Sequence, residues 1–169
     1  PYPTATRPLG IPAPTQAPVL AVNSPGVNEM KEDRYYCTTF VNDMGWESAP
    51  SPPARVNCNA DALINVSGLE DAPARYHGIN RRRIYRTKSG ASGATEFFFA
   101  KELAYASGQT WLETNTPLSN DVLPTQTTLG GWLPCPSNAK CLTQLWNAMA
   151  VVISGKSIRP CVAGHIYAY

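Results

Sequence analysis

From Arg34 onward the chain reads as short β-branched and aromatic runs separated by turn residues. Tyr35-Tyr36-Cys37-Thr38-Thr39-Phe40-Val41 is the clearest of these, and the turn-forming Asn42-Asp43-Met44-Gly45 closes it, so the pattern predicts a strand there. Ala49-Pro50-Ser51-Pro52-Pro53 then forces an extended crossing, and Arg55 to Asn57 and Ala62 to Val66 read as two further short strands, the second ended by Gly68. Arg82-Arg83-Ile84-Tyr85-Arg86-Thr87 and the run from Thr95 to Leu103 flank the small-residue loop Ser89-Gly90-Ala91-Ser92-Gly93, which makes the pair a hairpin. Thr110 to Thr114 is one more strand, and Val19 to Val22 supplies a first. About seven strands spaced by turns are the pattern of an antiparallel sandwich, and residues 18–117 are predicted to form it.

The flanks differ in texture. Residues 1–25 hold seven prolines, so neither a helix nor a central strand can form there, and residues 1–17 are predicted to run as an extended arm. Such an arm is either a linker or a segment ordered against a neighbouring subunit. Residues 118–141, with Gly130-Gly131-Trp132-Leu133-Pro134, read as an irregular crossing between units. Beyond it, Leu142, Leu145, Trp146 and Met149 repeat at helical spacing, whereas Met149 to Ile153 followed by Ser154-Gly155-Lys156 and Ser157-Ile158 suits a hairpin. The β-rich context favours the hairpin, so residues 142–169 are expected to be the first strands of a second β unit. One hairpin buries no core alone, and the chain opens without Met, so a piece of a longer or processed polypeptide is expected.

Composition narrows the class. The 169 residues are 43% hydrophobic and only 15% charged, with 16 Pro and 12 Gly, which excludes a coiled coil, a helical bundle or a charge-driven disordered tail. A formal net charge of +2 and a pI near 8.4 are too weak for a protein that lives on nucleic acid. No apolar run approaches the ~18–20 residues of a membrane-spanning helix.

Candidate chemistry is sparse. Cys37, Cys58, Cys135, Cys141 and Cys161 are odd in number and irregularly spaced, which favours free thiols in a reducing compartment. A zinc set of Cys135, Cys141, Cys161 and His165 would need C-x5-C and C-x3-H gaps in place of paired C-x2-C units, so neither a metal site nor a cofactor is predicted. Asn65-Val66-Ser67 fits a glycosylation sequon, relevant to a secreted chain. Gly155-Lys156-Ser157 resembles a phosphate-loop tail, but residue 150 is Ala150 and no helix pattern follows. His77 and His165 lie in no catalytic context, and Glu70-Asp71 reads as a solvated turn, so no catalytic residue is predicted. Two groups remain as candidates. Arg81, Arg82, Arg83 and Arg86 form the basic cluster, a possible contact for DNA or a partner's carboxylates, with Arg82 and Arg86 on one strand face and Arg81 and Arg83 on the other. Trp46, Trp111 and Trp132 are candidate interface residues, with burial in the core as the competing assignment.

Several phrases, in order, resemble a known family. They are Leu9-Gly10-Ile11-Pro12-Ala13-Pro14, Tyr36 to Val41 leading into Gly45-Trp46-Glu47-Ser48-Ala49-Pro50-Ser51-Pro52-Pro53, Arg82 to Thr87, Phe97 to Leu103, Val122-Leu123-Pro124-Thr125, Leu142 to Ala150, Ser154-Gly155-Lys156 and His165 to Tyr169. Together they are similar to bacteriophage tail structural proteins of the nozzle or hub type, in which a fibronectin type III or immunoglobulin-like sandwich precedes a β-propeller-like body.

That resemblance implies an all-β virion protein without catalysis. It would be a subunit of a homo-oligomeric tail ring forming part of the DNA ejection conduit, assembled in the host cytoplasm. Its neighbours would be copies of itself and other tail or portal-adaptor proteins, and genomic DNA would pass through in transit. The competing expectation is a secreted bacterial adhesion or carbohydrate-binding β-sandwich module, which would carry a disulfide. A third is an accessory sandwich to a hydrolase lying outside this stretch.

Overall fold

The structure, a computed structural model, describes residues 11–43, 45–73, 78–88 and 96–114 with their side chains, and the strand backbones of residues 139–145, 149–154 and 157–160. Within them the chain forms strands and no helix. The strands β1 (Val19–Ser24), β4 (Leu63–Ser67) and β7 (Trp111–Glu113) make a three-stranded antiparallel sheet in the order β1-β4-β7. A four-stranded antiparallel sheet in the order β3-β2-β5-β6 holds β2 (Lys31–Asn42), β3 (Ala54–Asn59), β5 (Ile79–Arg86) and β6 (Phe98–Ala104). Tyr36, Cys58 and Ile84 from the larger sheet meet Ile64 and Val66 from the smaller one in a single buried cluster, against which Leu20, Leu103 and Trp111 pack. The fold is therefore all-β, with two antiparallel sheets joined face to face by an apolar core. Each such side chain contributes roughly 1.5–3 kcal/mol on burial.

Each of the seven expected strands has a counterpart, and the main difference is the length of β2. It begins at Lys31, not Tyr35, because Lys31 to Tyr36 pair with Asn59 to Ala54 of β3. The charged stretch Lys31-Glu32-Asp33-Arg34 conceals this in the sequence, yet Arg34 donates to Glu32 at 2.5 Å and both are buried. In the C-terminal stretch β8 (Ala139–Leu145), β9 (Met149–Ser154) and β10 (Ser157–Pro160) form a separate antiparallel sheet in the order β10-β9-β8. Leu142 pairs with Val152 and Leu145 with Met149, so the helical spacing there is coincidental. Ser157 pairs with Ser154. Ser157 therefore opens a strand and no helix, while Gly155 and Lys156 lie outside the described residues.

Prolines interrupt the ladder on the β3 side of β2, and hydroxyl side chains extend the pairing there and past the end of β5. Opposite Phe40, Ser48 donates its N–H to the Phe40 carbonyl at 2.9 Å, while its Oγ accepts the Phe40 N–H at 2.9 Å. Ser51 does the same to Thr38, at 2.8 Å and 3.1 Å. On the other edge Thr87 donates its N–H to the Tyr35 carbonyl at 3.1 Å and accepts the Tyr35 N–H at 3.2 Å through Oγ1. In each pair a side-chain oxygen stands where a regular antiparallel partner would offer its backbone carbonyl. Two residues separate Ser48 from Ser51 but only one separates Thr38 from Phe40, so one extra residue is absorbed as a local bulge.

The arm and the first loop are fastened by single carboxylates. Ile11, Pro14 and Pro18 are buried, so the Pro-rich segment lies on its own sandwich from Ile11 onward. Its amides cannot join a ladder, and Glu70 accepts the N–H groups of Thr15 at 2.5 Å and Gln16 at 2.7 Å. Asp61, in the turn between β3 and β4, accepts the N–H groups of Val27 at 2.8 Å and Asn28 at 3.0 Å. Gly26 is required beside it, because its φ is +72° and an added Cβ would lie 2.1 Å from Asp61 Oδ1.

Ser51→Ala leaves the buried Thr38 N–H without an acceptor and is expected to cost about 1–3 kcal/mol in urea denaturation. Ser67→Ala removes only an exposed bond to the Val19 carbonyl, and its expected change stays within ~0.5 kcal/mol.

Candidate functional site

The charged chemistry concentrates on β5 and the strands beside it. Alternation along β5 sends Arg81, Arg83 and Tyr85 to the outer face of the four-stranded sheet and Arg82, Ile84 and Arg86 inward. The register places Thr39 opposite Arg83, Phe40 opposite Arg82 and Tyr36 opposite Arg86. The four arginines thus form no continuous basic surface, as their alternation in the sequence implies.

On the outer face, Glu47 lies folded back onto Val41 and is buried to 4% exposure. Its Oε1 accepts from the hydroxyls of Thr39 and Tyr85, each at 2.6 Å, and its Oε2 accepts from Arg83 at 2.7 Å. Glu102, opposite Arg83 on β6, accepts from Arg83 Nε at 2.8 Å and from Arg81 at 3.3 Å. The hydrogen bond from Arg83 holds the Glu102 carboxyl below the usual carboxylate range. Beside this group Cys37, Tyr85 and Phe97 pack together with Tyr35 and Phe99.

On the inner face a second group ties the sheets together. Glu113 of β7 is fully buried and accepts a short hydrogen bond from the Tyr36 hydroxyl. Arg86 Nη1 stands 3.0 Å from Glu113 Oε1, held by charge without the alignment of a hydrogen bond, and Arg34 Nη1 stands 3.9 Å from Oε2. Arg34 also donates to the carbonyls of Ala62 at 3.1 Å and Ala60 at 2.5 Å, which fixes the β3–β4 turn.

Arg82 is different. It too is fully buried, its guanidinium carbon lying 5.7 Å from the Phe40 ring centre and 5.3 Å from that of Tyr105. Its Nη2 donates to the Glu70 carbonyl at 2.5 Å, while Nε and Nη1 have no hydrogen-bond partner. Burial pulls this guanidinium below the ordinary arginine range.

Other candidates fall as follows. Trp111 is partly buried against the core on the same strand face as Glu113, and Trp46 is half-buried, its N–H donating to Asn42 Oδ1 at 2.9 Å. Trp132, His77, His165 and the side chains of Cys135, Cys141 and Cys161 lie outside the described residues. Cys37 and Cys58 are buried free thiols. Among the described residues no group of three or more His, Cys, Asp or Glu could hold a metal, and no helix is long and apolar enough to cross a membrane. Glu70 and Asp71 do not form a merely solvated turn, since Glu70 holds the arm and Asp71 accepts from Ser107 Oγ at 2.5 Å.

Sequence reasoning singled out the arginines and missed their carboxylates. Glu102 was accessible from the hairpin register, which sets it opposite Arg83. Alternation in Trp111-Leu112-Glu113 also pointed Glu113 to the same side as the inward tryptophan. Glu47 carried no such signal, because its placement depends on the return of a proline-broken segment over β2.

No family model matches the chain, and neither a curated protein nor a solved structure matches it. The site is therefore defined by its own geometry. It comprises two neutralised clusters, Arg81/Arg83 with Glu47/Glu102 and Arg34/Arg86 with Glu32/Glu113, which bind strands to one another.

Two outcomes follow for stability. Glu113→Gln leaves Arg34 and Arg86 short of a buried counter-charge and is expected to cost about 3–5 kcal/mol in urea unfolding; Tyr36→Phe, which removes one donor, should cost nearer 1 kcal/mol. Burial, with Glu47 beside it, pushes the Cys37 thiol up to about 12 from 9.0. Burial likewise raises the Tyr36 and Tyr85 hydroxyls, each helped by its glutamate partner. The folded state thus binds these protons more tightly than the unfolded chain. The Cys37 contribution is complete below pH 9.0 and is lost as pH rises toward about 12, and the contributions of the two tyrosines begin to be lost above their unfolded value of 10.0. The urea midpoint should fall across that window, and Cys37→Ala should make the fall shallower.

Proposed function

We propose that this chain is a structural subunit of a bacteriophage virion, a tail nozzle or hub ring component that forms part of the DNA ejection conduit. The observation that carries the reading is the internal neutralisation of the basic cluster. Arg81 and Arg83 are held by Glu47 and Glu102, and Arg86 faces Glu113. A conduit wall must let DNA slide, and each free cation that neutralises a phosphate adds salt-dependent affinity. Arginines turned inward or paired give rigidity without that adhesion. The resemblance of the arm, of the Gly45 to Pro53 return and of the β5–β6 hairpin to phage tail sandwiches supports the same reading.

In a ring subunit, affinity belongs to contacts between copies. The exposed apolar side chains Val19, Val22 and Leu112 on the three-stranded sheet suit such contacts, as do Val27 and Met30 on the loop pinned by Asp61. Val27 is 93% exposed on a loop already held in shape, so its burial in an interface would cost little ordering entropy.

The test is quantitative mass spectrometry of purified phage particles, following the tryptic peptides Val56 to Arg75 and Ser89 to Lys101. Recovery at a small fixed number of copies per particle is the expected result. Their absence from particles, with recovery from the host envelope or the medium, would overturn the reading in favour of the secreted adhesion module.

A further inference from the structure

We propose that Glu70 and Arg82 form a latch for the Pro-rich arm. With the arm docked, the Glu70 carboxylate holds the Thr15 and Gln16 amides; with the arm released, it turns to the Arg82 guanidinium. This goes beyond the proposed function and holds whatever the chain assembles with.

The argument begins with what Arg82 lacks. Its neighbours on β5 each meet a carboxylate, Arg81 and Arg83 at Glu102 and Arg86 at Glu113. Arg82 is the most deeply buried of the four, at 0% exposure, yet among the described residues it meets two aromatic rings and a backbone carbonyl but no carboxylate, and two of its nitrogens have no hydrogen-bond partner. A buried guanidinium in that state is costly, because its lost hydration is not replaced. The carboxylates acting on it through space are those of Asp71 and Glu70. Asp71 is occupied by Ser107.

Glu70 is the residue whose carbonyl already touches Arg82, and its side chain is engaged elsewhere. Oε2 accepts from the Thr15 and Gln16 amides, and both carboxylate oxygens lie within 3.2 Å of the Thr15 hydroxyl. One carboxylate thus has two competing sets of donors, the arm's amides and the Arg82 guanidinium. Among the described residues of the arm, prolines at 12, 14 and 18 remove ladder donors, and besides the Glu70 bonds its hold includes the burial of Ile11, Pro14 and Pro18. Release would cost those contacts but would give Arg82 its counter-charge. The two states are thereby brought closer in free energy than an ordinary docked strand and its frayed form.

Residue-resolved amide hydrogen exchange on the full 169-residue chain tests this. Arg82→Met removes the competitor while filling the slot between Phe40 and Tyr105. Exchange at Thr15 and Gln16 should slow by roughly tenfold relative to the Ile64 amide, the scale of one charge-assisted hydrogen bond. Unchanged or faster exchange at those two amides, with Ile64 protection retained, would overturn the latch.

If Arg82→Met does not fold well enough to read, Arg82→Lys is the second variant. It is combined with Glu70→Ala in a double-mutant cycle on unfolding. The cycle is run in the wild-type background and again with Ile11→Glu, which cannot stay buried and so frees the arm. Coupling between Glu70 and Arg82 should be larger by roughly fivefold or more in the second background than in the first. Equal coupling in both backgrounds would overturn the proposal.

Discussion

A strand that carries arginine on both faces sits at the centre of a sandwich at a cost of several kcal/mol for each desolvated guanidinium left without a counter-charge. β5 is such a strand, and much of the architecture around it can be understood as the means of supplying carboxylates. The bulged return after β2 brings Glu47 over the outer face, β6 sets Glu102 opposite Arg83, and the short β7 delivers Glu113 to the interior. β7 is only three residues long, too short to be held firmly by its ladder alone. The ion pair with Arg86 and the bond from Tyr36 anchor it to the opposite sheet.

Proline shapes the molecule by what it removes. In the proline-broken return before β3 the buried Thr38 and Phe40 amides have no regular strand partner, and Ser48 and Ser51 answer with their hydroxyls. The arm follows the same logic with a different group: its amides have no strand partner, and Glu70 serves in place of one. Hydroxyls and carboxylates here do the structural work that backbone carbonyls do in a regular sheet. This is why so many polar side chains are buried in a domain with so little charge.

The same economy bears on function. The described polar groups with perturbed acidity are turned toward one another. The Tyr36 and Tyr85 hydroxyls and the Cys37 thiol are all pushed up by burial, so none of the three is ionised at neutral pH. Among the exposed described side chains are apolar ones held in place, with Val27 and Met30 on a fastened loop and Val19 and Leu112 on the smaller sheet. A surface of that kind suits assembly.

By itself the sequence determined the all-β class, each of the seven sandwich strands to within a few residues, and the alternation that splits the β5 arginines between two faces. These follow from local rules, namely strand propensity, proline and glycine punctuation and a side-chain period of two. It did not determine the partners of those arginines, the start of β2 within a charged stretch, or the docking of the arm. Glu47 reaches Arg83 across 36 positions of chain and Glu113 reaches Tyr36 across 77. Contacts at such separations exist only once both sheets are stacked. Until then a charged residue on a strand has no preferred partner, and the tertiary structure decides which carboxylate meets which cation and leaves Arg82, among the described residues, with a carbonyl and two aromatic rings in place of a carboxylate.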